Sequence, residues 1–260
     1  MSIKSIEIRE RVWYNLSGIT FTTKGECRMK LGIFTDSHYS SRELTCSVRR
    51  NSLAFGRIKK AMEHFTKEKC DLAICLGDLT DFEETHAAEE ANLRKIAKLF
   101  DEFRLSVVVV MGNHDGFAFE KDTFYEILGR ERSPRTIKLG GNTLLFPDTC
   151  FFDSGEHYKP GDEDWTNSYL PDTEALRSEL NFADGDVCVF MHHNIDPDIR
   201  GDHRVRNSDE IRRILTDSGK VRAVYQGHYH PGYESVHDGI EYVTFPALCE
   251  NEDAYFVIEL

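Results

Sequence analysis

Residues 107–110 are four consecutive valines, followed by Met111-Gly112-Asn113-His114-Asp115, and no other stretch so narrows the fold. Valine is β-branched and apolar, so a run of it offers no face to water and suits a strand buried on both sides, as inside a parallel sheet. Gly112 ends that strand. An amide, an imidazole and a carboxylate then stand side by side at its carboxyl end, where open α/β sheets place their ligands. A packed core has no reason to gather them, because each needs a partner once it leaves water. A metal site does: Asn113 can offer a neutral oxygen to a cation, and His114 exchanges a proton near neutral pH. The alternative is a polar strand-to-helix turn, and the other strands supply the context for choosing.

The same arrangement recurs. Residues 31–34 form a short apolar strand leading into Asp36 and His38, and residues 72–76 lead into Gly77-Asp78-Leu79-Thr80-Asp81. Residues 187–191 lead into His192-His193, and residues 221–225 into Gly227-His228-Tyr229-His230. Between them, Ile58, Ala61, Met62 and Phe65, and again Leu93, Ile96, Ala97 and Phe100, fall on single helical faces. A third helix is expected at Asn207, with Glu210 completing a capping box. This is β-α-β alternation, and parallel strands with right-handed crossovers put their carboxyl ends on one edge. All five polar clusters should converge there. Residues 150–171, rich in Asp, Gly, Ser and aromatics, read as a long surface excursion able to rim the mouth. Residues 240–245 and 254–258 read as strands without crossover helices, so the sheet is mixed at that end.

No linker, low-complexity tract or repeat divides the 260 residues, and residues 29–260 are expected to form a single domain. Residues 1–28 lack the apolar core of a signal peptide, and Ile6 and Ile8 alternate with charged residues. They read as an N-terminal extension, either an added strand or an upstream translated segment. A net charge of −13 argues against tracking a nucleic-acid backbone, and no stretch approaches a membrane span. Seven cysteines, with no Cys-x-x-Cys pair, indicate neither a disulfide framework nor a thiolate zinc site. The chain reads as cytoplasmic.

The inventory of imidazole, carboxylate and amide without thiolate suits Mn, Fe, Zn, Co or Ni. Asp36, His38, Asp78, Asn113, His192, His228 and His230 are too many ligands for one ion; two ions sharing a carboxylate would use them all. Such a pair activates a bridging water and clamps phosphoryl oxygens during in-line displacement. These five blocks, in this order, resemble the motif series of the calcineurin-like metallophosphoesterases. The resemblance implies a four-layer α/β/β/α sandwich of two mixed sheets flanked by helices, with a dinuclear site at the strand carboxyl ends. It implies that Asp36, His38 and His230 bind one metal and Asn113, His192 and His228 the other, with Asp78 bridging. The ions would be divalent or mixed-valence, Mn, Fe or Zn foremost. His114 would serve the transition state or protonate the leaving oxygen, with Asp81 orienting its ring.

Two branches of that family fit less well. Purple acid phosphatases carry a metal-binding Tyr where Asp81 stands, and Ser/Thr protein phosphatases an Arg where Phe82 stands. From Asn207 through Asn251 the chain is similar to manganese-dependent ADP-ribose/CDP-alcohol diphosphatases, which have Gln in place of His38. Cyclic-nucleotide phosphodiesterases and phosphomonoesterases of the same superfamily are the alternatives, and an inactive phosphoesterase-like binding scaffold is the alternative of another class. The expected substrate is a small phosphorylated molecule, with a nucleotide as one candidate; the sequence does not set the oligomeric state.

Around this set, His193 either contacts substrate or supports the ligands. Tyr39, Phe82 and Phe117 follow motif residues and either stack on a base or pack beneath loops. Arg200, Arg204 and Arg206 either bind a second phosphate or lie on a solvated loop. His64, His86, His157, His203 and His237 read as surface residues. No Lys or Arg stands within two residues of a motif position. A monoester dianion is best held by a nearby arginine, so the sequence favours phosphodiesters or nucleotide pyrophosphates, with Arg42, Arg49 and Arg50 also placed for a more distant phosphate.

Overall fold

The computed structural model describes residues 29–260; the expectations for residues 1–28 lie outside the described residues. The chain runs through β1 (Lys30–Phe34), α1 (Ala54–Lys67), β2 (Leu72–Cys75), α2 (His86–Asp101) and β3 (Val107–Val109). It continues through α3 (Asn113–Ala118), α4 (Lys121–Leu128), β4 (Arg135–Leu139), β5 (Asn142–Phe146) and α5 (Thr173–Phe182). It closes with β6 (Val187–Met191), α6 (Ser208–Ser218), β7 (Val221–Gln226), β8 (Tyr233–His237), β9 (Ile240–Thr244) and β10 (Tyr255–Glu259).

One sheet has the order β10-β1-β2-β3 and the other β4-β5-β6-β7-β9-β8. β1, β2 and β3 are parallel and β10 is antiparallel to β1. In the second sheet β5, β6, β7 and β9 are parallel, and the antiparallel strands β4 and β8 form its edges. The valine run shows why the sheets lie face to face. Side chains alternate along a strand: Val107 and Val109 enter the core beneath the helices with Phe65, Phe100 and Phe124. Val108 and Val110 enter the core between the sheets, with Ile33, Ile74, Phe146 and Phe190. A third core joins Val189 and Val224 of the second sheet to Leu176, Leu180, Ile211 and Leu215 of α5 and α6. Three cores make four layers, the α/β/β/α sandwich of two mixed sheets. Burying one such valine contributes about 1.5–3 kcal/mol, so this run is also a main source of the sheet's cohesion.

The helical faces of α1 and α2 are those the periodicity predicts, and Thr85 caps α2 through Ala88 N at 3.3 Å. The capping box at Asn207 is not formed. The Asn207 amide instead bonds Leu170 N and O at 3.1 and 2.9 Å, and Glu210 accepts from Thr173 Oγ1, so both side chains tie the excursion and α5 to α6. The excursion itself is not purely superficial. Tyr158 is wholly buried, with its ring 4.8 Å from Phe117. Among the described residues no helix is long and apolar enough to cross a membrane.

Candidate metal centre

The loops after β1 and β2 run on beside each other, with Asp36 N bonded to Gly77 O and His38 N to Asp78 O at 3.0 and 2.9 Å. These bonds hold Asp36, His38 and Asp78 with φ of 51°, 45° and 49°, and His228 sits at 65°. A left-handed non-glycine backbone costs on the order of 1 kcal/mol per residue and persists only where the surroundings over-determine it. Here the reversal aims consecutive side chains at one point. Gly112 and Gly227 serve differently: a Cβ on Gly112 would lie 2.2 Å from Asp78 Oδ1, and one on Gly227 would lie 2.7 Å from Asp36 Oδ2. The motif glycines leave room for two carboxylates.

All seven candidate ligands come together, four from the first sheet's edge and three from the second's. His38 Nε2 and His230 Nε2 lie 3.2 Å apart, with Asp36 Oδ1 3.7 and 3.4 Å from them. On the other side His192 Nε2 lies 3.2 Å from Asn113 Oδ1, and the His228 ring stands 5.1 Å from that of His192. Asp78 Oδ2 sits between, 3.5 Å from His38 Nε2 and 3.4 Å from His192 Nε2. Donor atoms about 2.0–2.2 Å from one cation stand roughly 3–3.5 Å apart, so the spacing fits two ions sharing Asp78.

The hydrogen bonds point the lone pairs inward. His192 Nδ1 donates to Leu76 O at 2.8 Å and His230 Nδ1 to Glu250 at 2.5 Å, which leaves each Nε2 to face the cluster. Asp36 Oδ2 is occupied by Thr35 Oγ1 and His228 N, whereas Asp36 Oδ1 and His228 Nε2 are buried without a partner. Buried polar atoms are nearly always satisfied, and a cation supplies what these lack. Electrostatics agree. Despite burial, bonds from His230 and His38 hold Asp36 well below the usual carboxylate range, and the charge of His192 does the same for Asp78. Burial lowers His38 to about 4, while Asp78 and Asp36 overcome it and push His192 and His230 up to about 9. In the metal-free protein the protonated rings of His192 and His230 therefore offset the two carboxylates, and a cation would take over that role by displacing their Nε2 protons.

Asp81 Oδ1 lies 3.0 Å from His114 Nδ1. Asp115, which the sequence reading left without a role, accepts from Gly112 N, Leu79 N and Thr80 N at 3.0, 3.0 and 3.2 Å and locks the two ligand loops together. Burial and then the charge of Asp78 raise Asp115 to about 7.

Several expectations change. Tyr39 is no platform: it is buried, with its hydroxyl 2.6 Å from Lys95 Nζ and its ring against Phe55. Phe117 is 4 % exposed and packs on Tyr158, since α3 turns it into the core beneath the helices. Phe82 stays half-buried, its ring 5.2 Å from His114. His193 is fully buried, with Nδ1 2.8 Å from Thr149 Oγ1 and its ring 4.8 Å from His228, which seals it from substrate. Arg200 is not brought to the cluster; its guanidinium is 70 % exposed and pairs with Asp202 of its own turn. Arg49, expected to serve a more distant phosphate, instead places its Nη1 3.3 Å from His114 Nε2 and 3.7 Å from Asp81 Oδ2. His157 is half-buried and bonded to Asp148, and His203 stands 5.5 Å from His228. With His203, Trp165 of the excursion and Tyr229 form an aromatic wall; the Trp165 ring is 5.7 Å from His228 and 37 % exposed. Nothing local in the sequence marks Trp165, which arrives through an irregular segment.

A four-layer sandwich that collects imidazoles, carboxylates and one amide at the carboxyl edge of both sheets is the architecture of a phosphoester hydrolase. The model of the Calcineurin-like phosphoesterase family matches residues 29–232, and the chain belongs to that family. It is 22 % identical over 233 residues to the 3',5'-cyclic adenosine monophosphate phosphodiesterase CpdA of Haemophilus influenzae, covering 85 % of this chain and 77 % of that one. It is 28 % identical over 200 residues to a protein of Pseudoalteromonas sp. named a probable cyclic nucleotide phosphodiesterase, covering 71 % and 68 %. Among solved structures it is similar in fold to a dimetal phosphatase from Danio rerio, with a TM-score of 0.77 at 15 % identity over 88 % of this chain and 91 % of that one.

Proposed function

We propose that this chain hydrolyses small phosphodiesters or nucleotide pyrophosphates with two divalent cations, one held by Asp36, His38 and His230, the other by Asn113, His192 and His228, with Asp78 shared. The observation that carries the reading is Asp78 Oδ2 lying between two sets of inward-facing donors, 3.5 Å from His38 Nε2 and 3.4 Å from His192 Nε2. Bound there, the cations would offset phosphoryl charge and lower the pKa of a water to make a nucleophile.

The protein's own groups do the rest. Asp81 accepts a hydrogen bond from the Nδ1–H of His114, which fixes the tautomer and leaves Nε2 as the atom that would carry a proton to the leaving oxygen. Asp78 Oδ1 accepts from His114 N at 2.8 Å, so the acid is registered to the shared ligand by the backbone. Trp165, His203 and Tyr229 offer flat surfaces beside His228, suited to a ring-bearing substituent such as a nucleobase. The names of the two curated relatives favour a cyclic-nucleotide phosphodiesterase as the second reading.

The experiment is a Mn-supplemented panel of bis-p-nitrophenyl phosphate, ADP-ribose, a CDP-alcohol, cyclic AMP and p-nitrophenyl phosphate. Turnover of at least one phosphodiester or pyrophosphate, abolished by chelation, is expected. Turnover of none of the four phosphodiesters and pyrophosphates, or turnover indifferent to chelators, overturns the proposal.

A further inference from the structure

The Thr45–Arg49 turn is built to hold an arginine over the acid. Its backbone closes on itself, Thr45 N to Arg49 O and Arg49 N to Thr45 O at 3.0 Å each, with Cys46 and Ser47 left-handed at φ 49° and 64°. Both ends are sewn to the candidate site. Wholly buried Asn51 accepts from Thr45 Oγ1 at 2.8 Å and donates to His38 O and Asp81 Oδ2 at 2.7 and 2.8 Å, and Arg50 N donates to Cys249 O.

Arg49, thus placed, is 18 % exposed along its side chain and underused. Asp81 is already satisfied by His114 Nδ1, Phe82 N and Asn51 Nδ2, and at 3.7 Å the guanidinium is beyond hydrogen-bond range of it. Its hydrogen bond among the described residues is Nη1 to His114 Nε2 at 3.3 Å. A guanidinium has five N–H groups and no acceptor, so His114 Nε2 must be the lone-pair atom there and a planar donor fork is left over. Such a fork pairs best with two oxygens of one anion.

Resting on the function proposed above, we infer that Arg49 selects substrates with a second negative charge at or next to the scissile phosphorus, in a monoester dianion or a pyrophosphate, over monoanionic diesters. The two cations can offset a single charge unaided; the guanidinium is the group on the His114 side that answers a second.

The test compares kcat/KM of Mn-loaded wild type, Arg49→Met and Arg49→Lys on p-nitrophenyl phosphate and bis-p-nitrophenyl phosphate at pH 8, where the leaving group is the same and the charge differs. ADP-ribose and cyclic AMP form the second pair. The doubly to singly charged ratio is expected to fall roughly 10- to 100-fold in Arg49→Met, the range for a charge-assisted bidentate contact, and less in Arg49→Lys, which keeps the charge without the fork. If Arg49→Met fails to fold, judged by its melting curve, the ratio in Arg49→Lys decides. An unchanged ratio in both pairs, whether both activities fall together or neither does, overturns the inference and leaves the proposed function standing. Wild type inactive on all four and on the CDP-alcohol overturns both.

Discussion

Among the described residues, the acid–imidazole cluster around Asp148 and the one at the sheet edges are built on opposite rules. Around Asp148, Lys121 Nζ lies at 2.5 Å, His157 Nε2 at 3.1 Å and Cys150 N at 2.9 Å. No charged atom there lacks a partner. At the sheet edges Asp36 Oδ1 and His228 Nε2 lack a hydrogen bond, and two imidazole Nε2 atoms face each other at 3.2 Å. A satisfied cluster is complete as protein, because leaving one buried charge unpaired is what costs heavily. A cluster of inward lone pairs is complete only with something positive added. Composition alone does not separate the two; the destination of each hydrogen bond does.

The sharpest way to break this contrast is to remove the shared charge. Asp78→Asn is expected to lower turnover on the order of 10⁴-fold or more and bound metal to below one ion per chain; elemental analysis showing two ions would place the bridge elsewhere. His114→Ala should lower turnover roughly 10²–10⁴-fold while two ions stay bound, and loss of metal in this variant would make His114 a ligand. At the other cluster the same kind of change should touch stability instead. Asp148→Asn leaves Lys121 without its counter-charge and should cost about 3 kcal/mol, read by urea denaturation, with kcat/KM of the folded enzyme within about threefold of wild type. Mn at a hundred times its Kd should add about 2.7 kcal/mol to wild type and to Asp148→Asn alike, and markedly less to Asp78→Asn, which differential scanning calorimetry resolves.

Acid should isolate the charge of Asp148 in the gap between wild type and Asp148→Asn. Burial opposes ionisation of Asp148, but His157 and Lys121 lower it from 3.8 to about 2. A carboxylate depressed in the folded state stabilises fully above its unfolded value and loses that contribution as pH falls through the folded one. The gap between wild type and Asp148→Asn should therefore shrink by about 2 kcal/mol from near pH 5 to near pH 2. A gap constant over that window would remove the charge from the account.

What the sequence made legible follows from chain-local physics. The apolar strands, the two periodic helices and the five polar blocks can be read because each signal lies within a few residues of the structure it specifies. Arg49 could not be read that way: its contact with His114 spans 65 residues and depends on two left-handed residues with no glycine to announce them. Tyr39 and Phe117 misled for the converse reason, since following a motif residue says nothing about which way a side chain turns. The hairpin of β4 and β5, marked by Gly140-Gly141, and the strand β8 went unread beside the stronger β-α-β pattern. Glu250 and Asn51 carry no local sign of their roles, which exist only through His230 and His38.

Neither metal half-site belongs to one sheet. Asp36 and His38 follow β1 while His230 follows β7, and Asn113 follows β3 while His192 follows β6, so each proposed cation rivets one half of the sandwich to the other. The chain passes from first sheet to second once before the site is complete, through the exposed residues Glu131 and Arg132. A break there would make two fragments that, among the described residues, share one strand pairing, β10 with β1, and the apolar core between the sheets. Metal would tighten their reunion, and the metal dependence of reassembly would report cation affinity with no substrate present.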